Sequence, residues 1–181
     1  LDHAGLSVEL LTTDRMDTAR ELAQTLNTLN ARRQELEKGI LADIDAIVRR
    51  QPEMLARRTL VLAQPGWHEG VIGVVASRVV ERYYRPVVLI ALKGDEGRGS
   101  ARGIPGIDLY ACLAACHAHL EDLGGHVQAA GLRVKTDSLP AFQLAFEEAV
   151  RSASGPDVFI PSIAIDAVLN FEEISEDLAN Q

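Results

Sequence analysis

The chain has 181 residues, of which 47% are hydrophobic and 24% charged, the make-up of an ordinary globular protein with room for one full domain and smaller additions. Its richest apolar runs, residues 71–76 and 87–92, are far too short to cross a bilayer, and no charged-then-apolar leader opens the sequence, so the expectation is a cytoplasmic protein with no membrane segment. A net charge of −8 repels phosphate, so any nucleic-acid contact must come from a local cluster of cations.

In chain order, residues 1–11 begin at Leu1 rather than Met and read as the middle of a longer protein, with strand-like character at residues 6–11. A long helix is expected from Thr13 or Asp14, either of which could cap it. Leu22, Leu26, Leu29, Leu36, Ile40, Ile44 and Ile47 then form one apolar stripe, with Arg33 filling a step, and Pro52 marks the end. Unbroken, such a helix spans roughly 55 Å. A helix that long with one narrow stripe suits a connector or a pairing element, with a bend possible at Gly39.

A compact α/β unit is expected next. It comprises a strand at residues 59–63, a helix at 70–84, an apolar strand at 87–92 central in its sheet, and a glycine-rich strand at 98–103. An alanine-rich helix at 107–120 follows, then an irregular glycine-rich segment at 124–131 feeding a strand at 132–135. A closing helix at 138–152 has Ser138 as its cap and Pro140 in its first turn. The strand–helix–strand start predicts a parallel crossover. Cys112 and Cys116, one helical turn apart, read as small buried residues rather than metal ligands or a disulfide. Beyond Gly155-Pro156, residues 163–169 alternate like one strand, and Asn170 with Glu173 resembles a capping pair, too little to bury a core alone.

Three segments could carry chemistry. Pro65-Gly66-Trp67-His68-Glu69-Gly70 joins the first strand to its helix, where free amides and a histidine suit an anionic oxygen; the alternative is a turn in which Trp67 packs and His68 caps. Gly97-Arg98-Gly99-Ser100-Ala101-Arg102-Gly103 offers two guanidinium groups and a hydroxyl among glycines that let a backbone or ligand approach; the alternative is an edge strand guarded by charge. Gly124-Gly125-His126 sets a histidine on a bend ahead of the small residues Ala129-Ala130-Gly131. Asp95, Glu96 and Asp108 form no ligand pattern, so the residues describe a phosphate-binding module rather than a complete two-metal hydrolase.

Taken in order, these segments resemble RecJ-type single-stranded-DNA exonucleases of the DHH/DHHA1 phosphoesterase family. The resemblance rests on His68-Glu69-Gly70-Val71-Ile72-Gly73-Val74-Val75-Ala76-Ser77-Arg78 with Tyr83-Tyr84-Arg85-Pro86, on Gly99-Ser100-Ala101-Arg102 with Ile104-Pro105-Gly106-Ile107-Asp108-Leu109, and on Gly124-Gly125-His126 with Ala129-Ala130-Gly131. It departs from the common pattern at Ala101, where glycine is frequent, and at Gly103, where serine is frequent.

The resemblance implies an α/β fold: a DHHA1-type domain with a mixed sheet of about four or five strands flanked by helices, preceded by a long connector helix. Residues 1–12 would end a DHH domain, 13–52 would form the connector, 53–155 the DHHA1 domain, and 156–181 the start of an OB-type domain. It further implies a substrate-binding role in five-prime-directed exonuclease action during DNA repair and recombination. Ser100, Arg102, Gly125 and His126 would grip phosphates, and His68 and Arg98 would line the same groove. No catalytic or metal-binding residue falls in this stretch; Mn2+ or Mg2+ would be held by a DHH domain of the same parent chain, and the piece alone would be inactive. Asp2-His3 is not that metal motif. The alternatives are a DHHA1 domain from an oligonucleotide or dinucleotide phosphoesterase, an RNA-binding module like that of alanyl-tRNA synthetases, and a self-standing enzyme using His126 as a base.

Overall fold

The computed structural model describes residues 4–163, 165, 167–171 and 175. Residues 4–12 form a helix, α1 (Ala4–Thr12), where alternation suggested a strand; so short a segment, with Leu6, Val8, Leu10 and Leu11, fits either period, and it lies beside the next helix. That helix, α2 (Met16–Arg50), starts two residues later than expected with no side-chain cap, the Thr13 hydroxyl instead accepting from the Arg15 amide at 3.3 Å. It runs through Gly39 and stops just before Pro52. At the ordinary helical rise its 35 residues measure roughly 52 Å.

The domain is a five-stranded mixed sheet. Its strands are β1 (Leu60–Pro65), β2 (Val87–Lys93), β3 (Glu96–Arg102), β4 (Asp122–His126) and β5 (Ala129–Lys135), in the order β1-β2-β3-β5-β4. β1 and β2 are parallel across the crossover helix α3 (Ile72–Tyr83); every other pairing is antiparallel. Tyr84 takes a left-handed conformation (φ 46°) at the C-terminus of α3, turning the chain into Pro86 and β2. The segment expected to be irregular is a hairpin, β4–β5. Its glycines carry no side chains with which to display alternation, so the strand pattern is invisible in the sequence there. The alanine-rich helix shrinks to α4 (Leu109–Ala114), capped by the Asp108 carboxylate on the Ala111 amide at 2.9 Å and followed by a 3-10 turn at His117–His119.

Both faces of the sheet bury apolar side chains, one with each parity. Val61, Val88, Ile90, Ala101, Ala130, Leu132 and Val134 pack against α4 and the closing helix α5 (Leu139–Ala153), where Phe142 and Phe146 stack with centroids 5.9 Å apart. Leu60, Leu62, Val87, Leu89 and Ala91 pack on the other face against α3 and α2. Cys112 and Cys116 are free thiols buried in the first of these cores. Pro140 lies in the first turn of α5, while Ser138 makes no side-chain cap bond. Glu147 of α5 instead ties down the entry to β1, accepting from the Arg58 amide, the Thr59 amide and the Thr59 hydroxyl at 2.7–2.9 Å.

After a 3-10 turn at Pro156–Phe159, the described residues between 160 and 170 carry no strand, in contrast to the alternation at 163–169. Ile163, Ile165 and Val168 are exposed, so that alternation has no sheet to pair with here. The capping pair ending at Glu173 lies outside the described residues, as does Asp2-His3.

Candidate nucleic-acid interface

The site follows from the register of the antiparallel strands. Directly paired residues project on the same face of a sheet, and every second residue along a strand repeats that face. Arg98, Ser100 and Arg102 of β3 therefore share a face with their β5 partners Arg133, Gly131 and Ala129. These in turn share it with Asp122, Gly124 and His126 of β4. Three parallel rows cross the sheet: Arg98–Arg133–Asp122, Ser100–Gly131–Gly124 and Arg102–Ala129–His126. The middle row ends its side chains at a serine hydroxyl, so it forms a trough floor. A Cβ on Gly124 would meet nothing within 4 Å, and one on Gly131 would only reach the Gly99 carbonyl at 4.0 Å. The flanking rows stand roughly 13–14 Å apart, enough for one extended strand. On this face helix α3 lies over β2 and β3 and leaves β5 and β4 open beside it, where a cleft of about 580 Å³ runs from Glu69 and Gly70 past Ser100 to Gly131 and Arg133.

The cations of the two rows are not equivalent. Arg98 and Arg133 face each other as like charges, and each is countered by an acid on its far side, Glu69 at 3.2 Å and Asp122 at 3.5 Å. Arg102 has no carboxylate partner among the described residues. Its Nη1 donates to the Ser100 hydroxyl at 3.1 Å and to the Ala101 carbonyl at 2.8 Å, and burial pushes its pKa down. Guanidinium keeps its proton through such a shift. The result is a half-buried cation, oriented by a hydroxyl, with free donors and no anion.

The glycines prove to have separate duties. Gly97 and Gly99 face the α5 side of the sheet, where an added Cβ would sit 2.5 Å from Ile90 Cγ2 and 2.6 Å from Leu132 Cδ1; they admit core side chains rather than a ligand. Gly125 (φ 151°) is also demanded from inside, since a Cβ would fall 2.4 Å from the Ala129 carbonyl oxygen and 2.5 Å from Ala130 Cα. Gly124, not Gly125, floors the trough. β3 lies between β2 and β5, which excludes the edge-strand alternative.

His126 ends the edge strand β4, exposed, in the same row as Arg102 but two strand spacings away, roughly 9–10 Å. His68 stands farther off, in the loop before α3, where its Nδ1 accepts from the Gly70 amide at 3.1 Å and its carbonyl from Val71 and Ile72. Trp67 is buried and donates to Asp43 at 3.0 Å, so this loop follows the packing-and-capping alternative. His68 and Arg98 do line one cleft, of about 720 Å³, at the C-terminal ends of β1 and β2. The sequence reading missed Arg133 and Gly124. Arg133 is signalled by the alternation Leu132, Arg133, Val134, Lys135, once that strand is seen to start at Ala129.

Among the described residues no group of three or more His, Cys, Asp or Glu could hold a metal ion, and no helix is long and apolar enough to cross a membrane.

Comparison with known proteins agrees with this architecture. Residues 56–152 match the DHHA1 domain family. The single-stranded-DNA-specific exonuclease RecJ of Escherichia coli is 34% identical over 99% of the chain, and that of Bacillus subtilis is 32% identical over 97%. The chain covers 32% and 22% of those proteins, respectively. Crystal structures of Thermus thermophilus RecJ in complex with Mg2+ and with Mn2+ superpose with TM-scores of 0.68 and 0.71 at 34% and 36% identity. Each superposition covers 81% of this chain, and 22% and 21% of the RecJ chains. A five-stranded mixed sheet with this topology, matched at this identity, leaves one assignment: the chain belongs to the DHHA1 domain family and is homologous to the RecJ exonucleases along nearly its whole length.

Proposed function

We propose that this chain is the strand-gripping part of a single-stranded-DNA exonuclease acting from the five-prime end. The observation that carries the reading is Arg102, a half-buried cation with no carboxylate partner among the described residues, held by Ser100 at the head of a side-chain-free trough. Such a cation gains a charge-assisted contact with phosphate that needs little reorganisation. Arg98, Arg133 and His126 add donors around the trough, and the missing side chains of Gly124 and Gly131 admit a sugar-phosphate backbone. His68 lines the adjoining cleft together with Arg98 and contributes less directly. An acidic protein can bind DNA this way because the field that matters is local, and Arg98, Arg102 and Arg133 outnumber the two acids, Glu69 and Asp122, that pair with them on this face.

In this reading the metals and the nucleophilic water come from a DHH domain of the parent protein, facing the trough across a cleft that admits one strand. Residues 13–52 would be the connector to it, 53–155 the DHHA1 domain, and 156–181 the beginning of an OB-type domain. The intact enzyme would use Mn2+ or Mg2+ and serve DNA repair and recombination.

The test is a titration of the chain with a five-prime-phosphorylated single strand, followed residue by residue by NMR. Shifts are expected at Ser100, Arg102, Gly124, His126 and Gly131, weakening with salt, and lost in Arg102→Ala while the fold is kept. Equal affinity for a dinucleotide would move the assignment to a small-substrate phosphoesterase. Preference for a folded RNA, or shifts confined to other surfaces, would overturn it.

A further inference from the structure

Glu37 is the most deeply buried charged residue described in the chain, 2% exposed, and the trough makes no use of it. It lies on α2 at the point where that helix reaches the domain. From residue 16 to 36 the helix fully buries no residue; from there Glu37, Ile40, Ile44 and Val48 seat it against α3 and the sheet. The Glu37 carboxylate is held from both sides. Arg33 Nη1, one turn earlier, donates to Oε2 at 2.9 Å, and Arg78 of α3 forms an ion pair with Oε1, which takes no hydrogen bond. Arg33 is itself anchored by the Asn30 amide oxygen, which accepts from its Nε and Nη2 at 3.1 and 3.0 Å.

A buried carboxylate is a poor source of stability, because desolvation consumes most of the Coulombic gain. It is a good source of direction. Isoleucine and valine contacts are non-directional and tolerate a helix that rocks on its seat. A buried carboxylate ion-paired across to Arg78 of the other helix resists it, because rocking would draw the two apart and leave the Glu37 charge without that partner in the interior. The stretch of α2 from Met16 to Leu36 makes an arm of roughly 30 Å, so a tilt of about 10° at the seat displaces its far end by about 5 Å. The helix that receives the latch also backs the trough, since a Cβ on Gly73 of α3 would touch Arg102 and Ser100 at 3.0 Å.

We infer that Glu37 is a positioning residue: the Arg33–Glu37–Arg78 latch fixes the angle of the α2 arm against the helix that backs the phosphate-gripping residues. Its consequence for strand cleavage rests on the proposed function, whereas the geometry does not. The experiment therefore uses no DNA. Spin labels are placed at Gln24→Cys on the arm and Leu144→Cys on α5, neither of them buried, and their distance distribution is measured by pulsed dipolar spectroscopy; Cys112 and Cys116 are buried and take no label in the folded protein. Adding Glu37→Leu, which keeps the volume and removes the charge, is expected to broaden the distribution and shift its centre by up to about 3 Å, since Gln24 lies roughly 18 Å along the arm from the seat. Ile44→Val, which weakens the same seat without touching the latch, is expected to leave it narrow. If Glu37→Leu fails to fold, Glu37→Gln carries the test with the same expectation. A distribution unchanged by loss of the carboxylate, or broadened equally by Ile44→Val, overturns the inference.

Discussion

Gly73 on α3 stands so close to Arg102 on β3 that a Cβ there would lie 3.0 Å from the guanidinium Nη2, and 3.0 Å from the Ser100 hydroxyl. The helix thus leaves a recess in which the cation lies, half-buried and oriented. Alanine at this position raises helix propensity by up to about 1 kcal/mol but must push aside the flexible end of Arg102. Gly73→Ala is expected to keep or slightly raise the thermal midpoint while weakening single-strand binding several-fold. Calorimetry and the phosphate titration on one preparation separate the two. Unchanged binding would mean that Arg102 grips from another rotamer.

Two adjacent glycines make the converse comparison. Gly125 is required by its own neighbours, with φ at 151° and backbone atoms within 2.5 Å of any Cβ; Gly124 has open space above it. Gly125→Ala should therefore cost about 2 kcal/mol or more of stability, measured by denaturant unfolding. Gly124→Ala should cost well under half as much and act on binding instead, by raising the floor between Ser100 and His126. Equal destabilisation by both would mean that the open face is packed in solution.

Those same residues mark how far the sequence could be read. β1, α3 and β2 were legible because Val, Ile and Leu crowd into them, β3 because a glycine-rich stretch follows the turn after β2, and Ser100, Arg102 and His126 stood out as candidates because hydroxyl, guanidinium and imidazole lie among glycines. The hairpin β4–β5 was illegible for the reason that makes it useful: Gly124, Gly125 and Gly131 have no side chains to alternate. The division of labour between Gly124 and Gly125 depends on which face each presents, and a one-residue difference in register exchanges them. Glu37 carries no signal in the sequence, because its ion pair across to α3 involves Arg78, more than thirty residues further along the chain. The strand expected at residues 6–11 is instead α1, because apolar residues over so short a segment fit both periods.

The grouping of donors leads to a prediction about chemistry. Phosphodiester hydrolysis of this class needs metal-bound water, and the described acids and histidines are dispersed or engaged: Asp43 by Trp67, Glu69 by Arg98, Asp108 by the Ala111 amide. The chain incubated with Mn2+ and labelled single strand should release no nucleotide. Metal-dependent release that co-purifies with the chain and disappears in Arg102→Ala would require a catalytic centre within these residues.

Acid stability should be governed in part by Glu147. Burial alone would raise its pKa, but hydrogen bonds from the Arg58 amide, the Thr59 hydroxyl and amide, and Arg151 outweigh this and leave it below its ordinary 4.5. The folded state therefore holds the carboxylate ionised where the unfolded chain would begin to take up a proton. The resulting stabilisation is complete above the ordinary carboxylate value and is lost as pH falls through the lowered one. Glu147→Gln should reduce stability at neutral pH by on the order of 2–3 kcal/mol, since the two amides and the hydroxyl that open β1 lose a charged acceptor. It should also flatten the acid limb of the stability curve, because the variant has no proton to gain at that position. Urea unfolding of both proteins between neutral pH and the lower end of the carboxylate range measures both effects. An acid limb equally steep in the two would assign the pH dependence to other carboxylates and leave Glu147 a neutral hydrogen-bond acceptor.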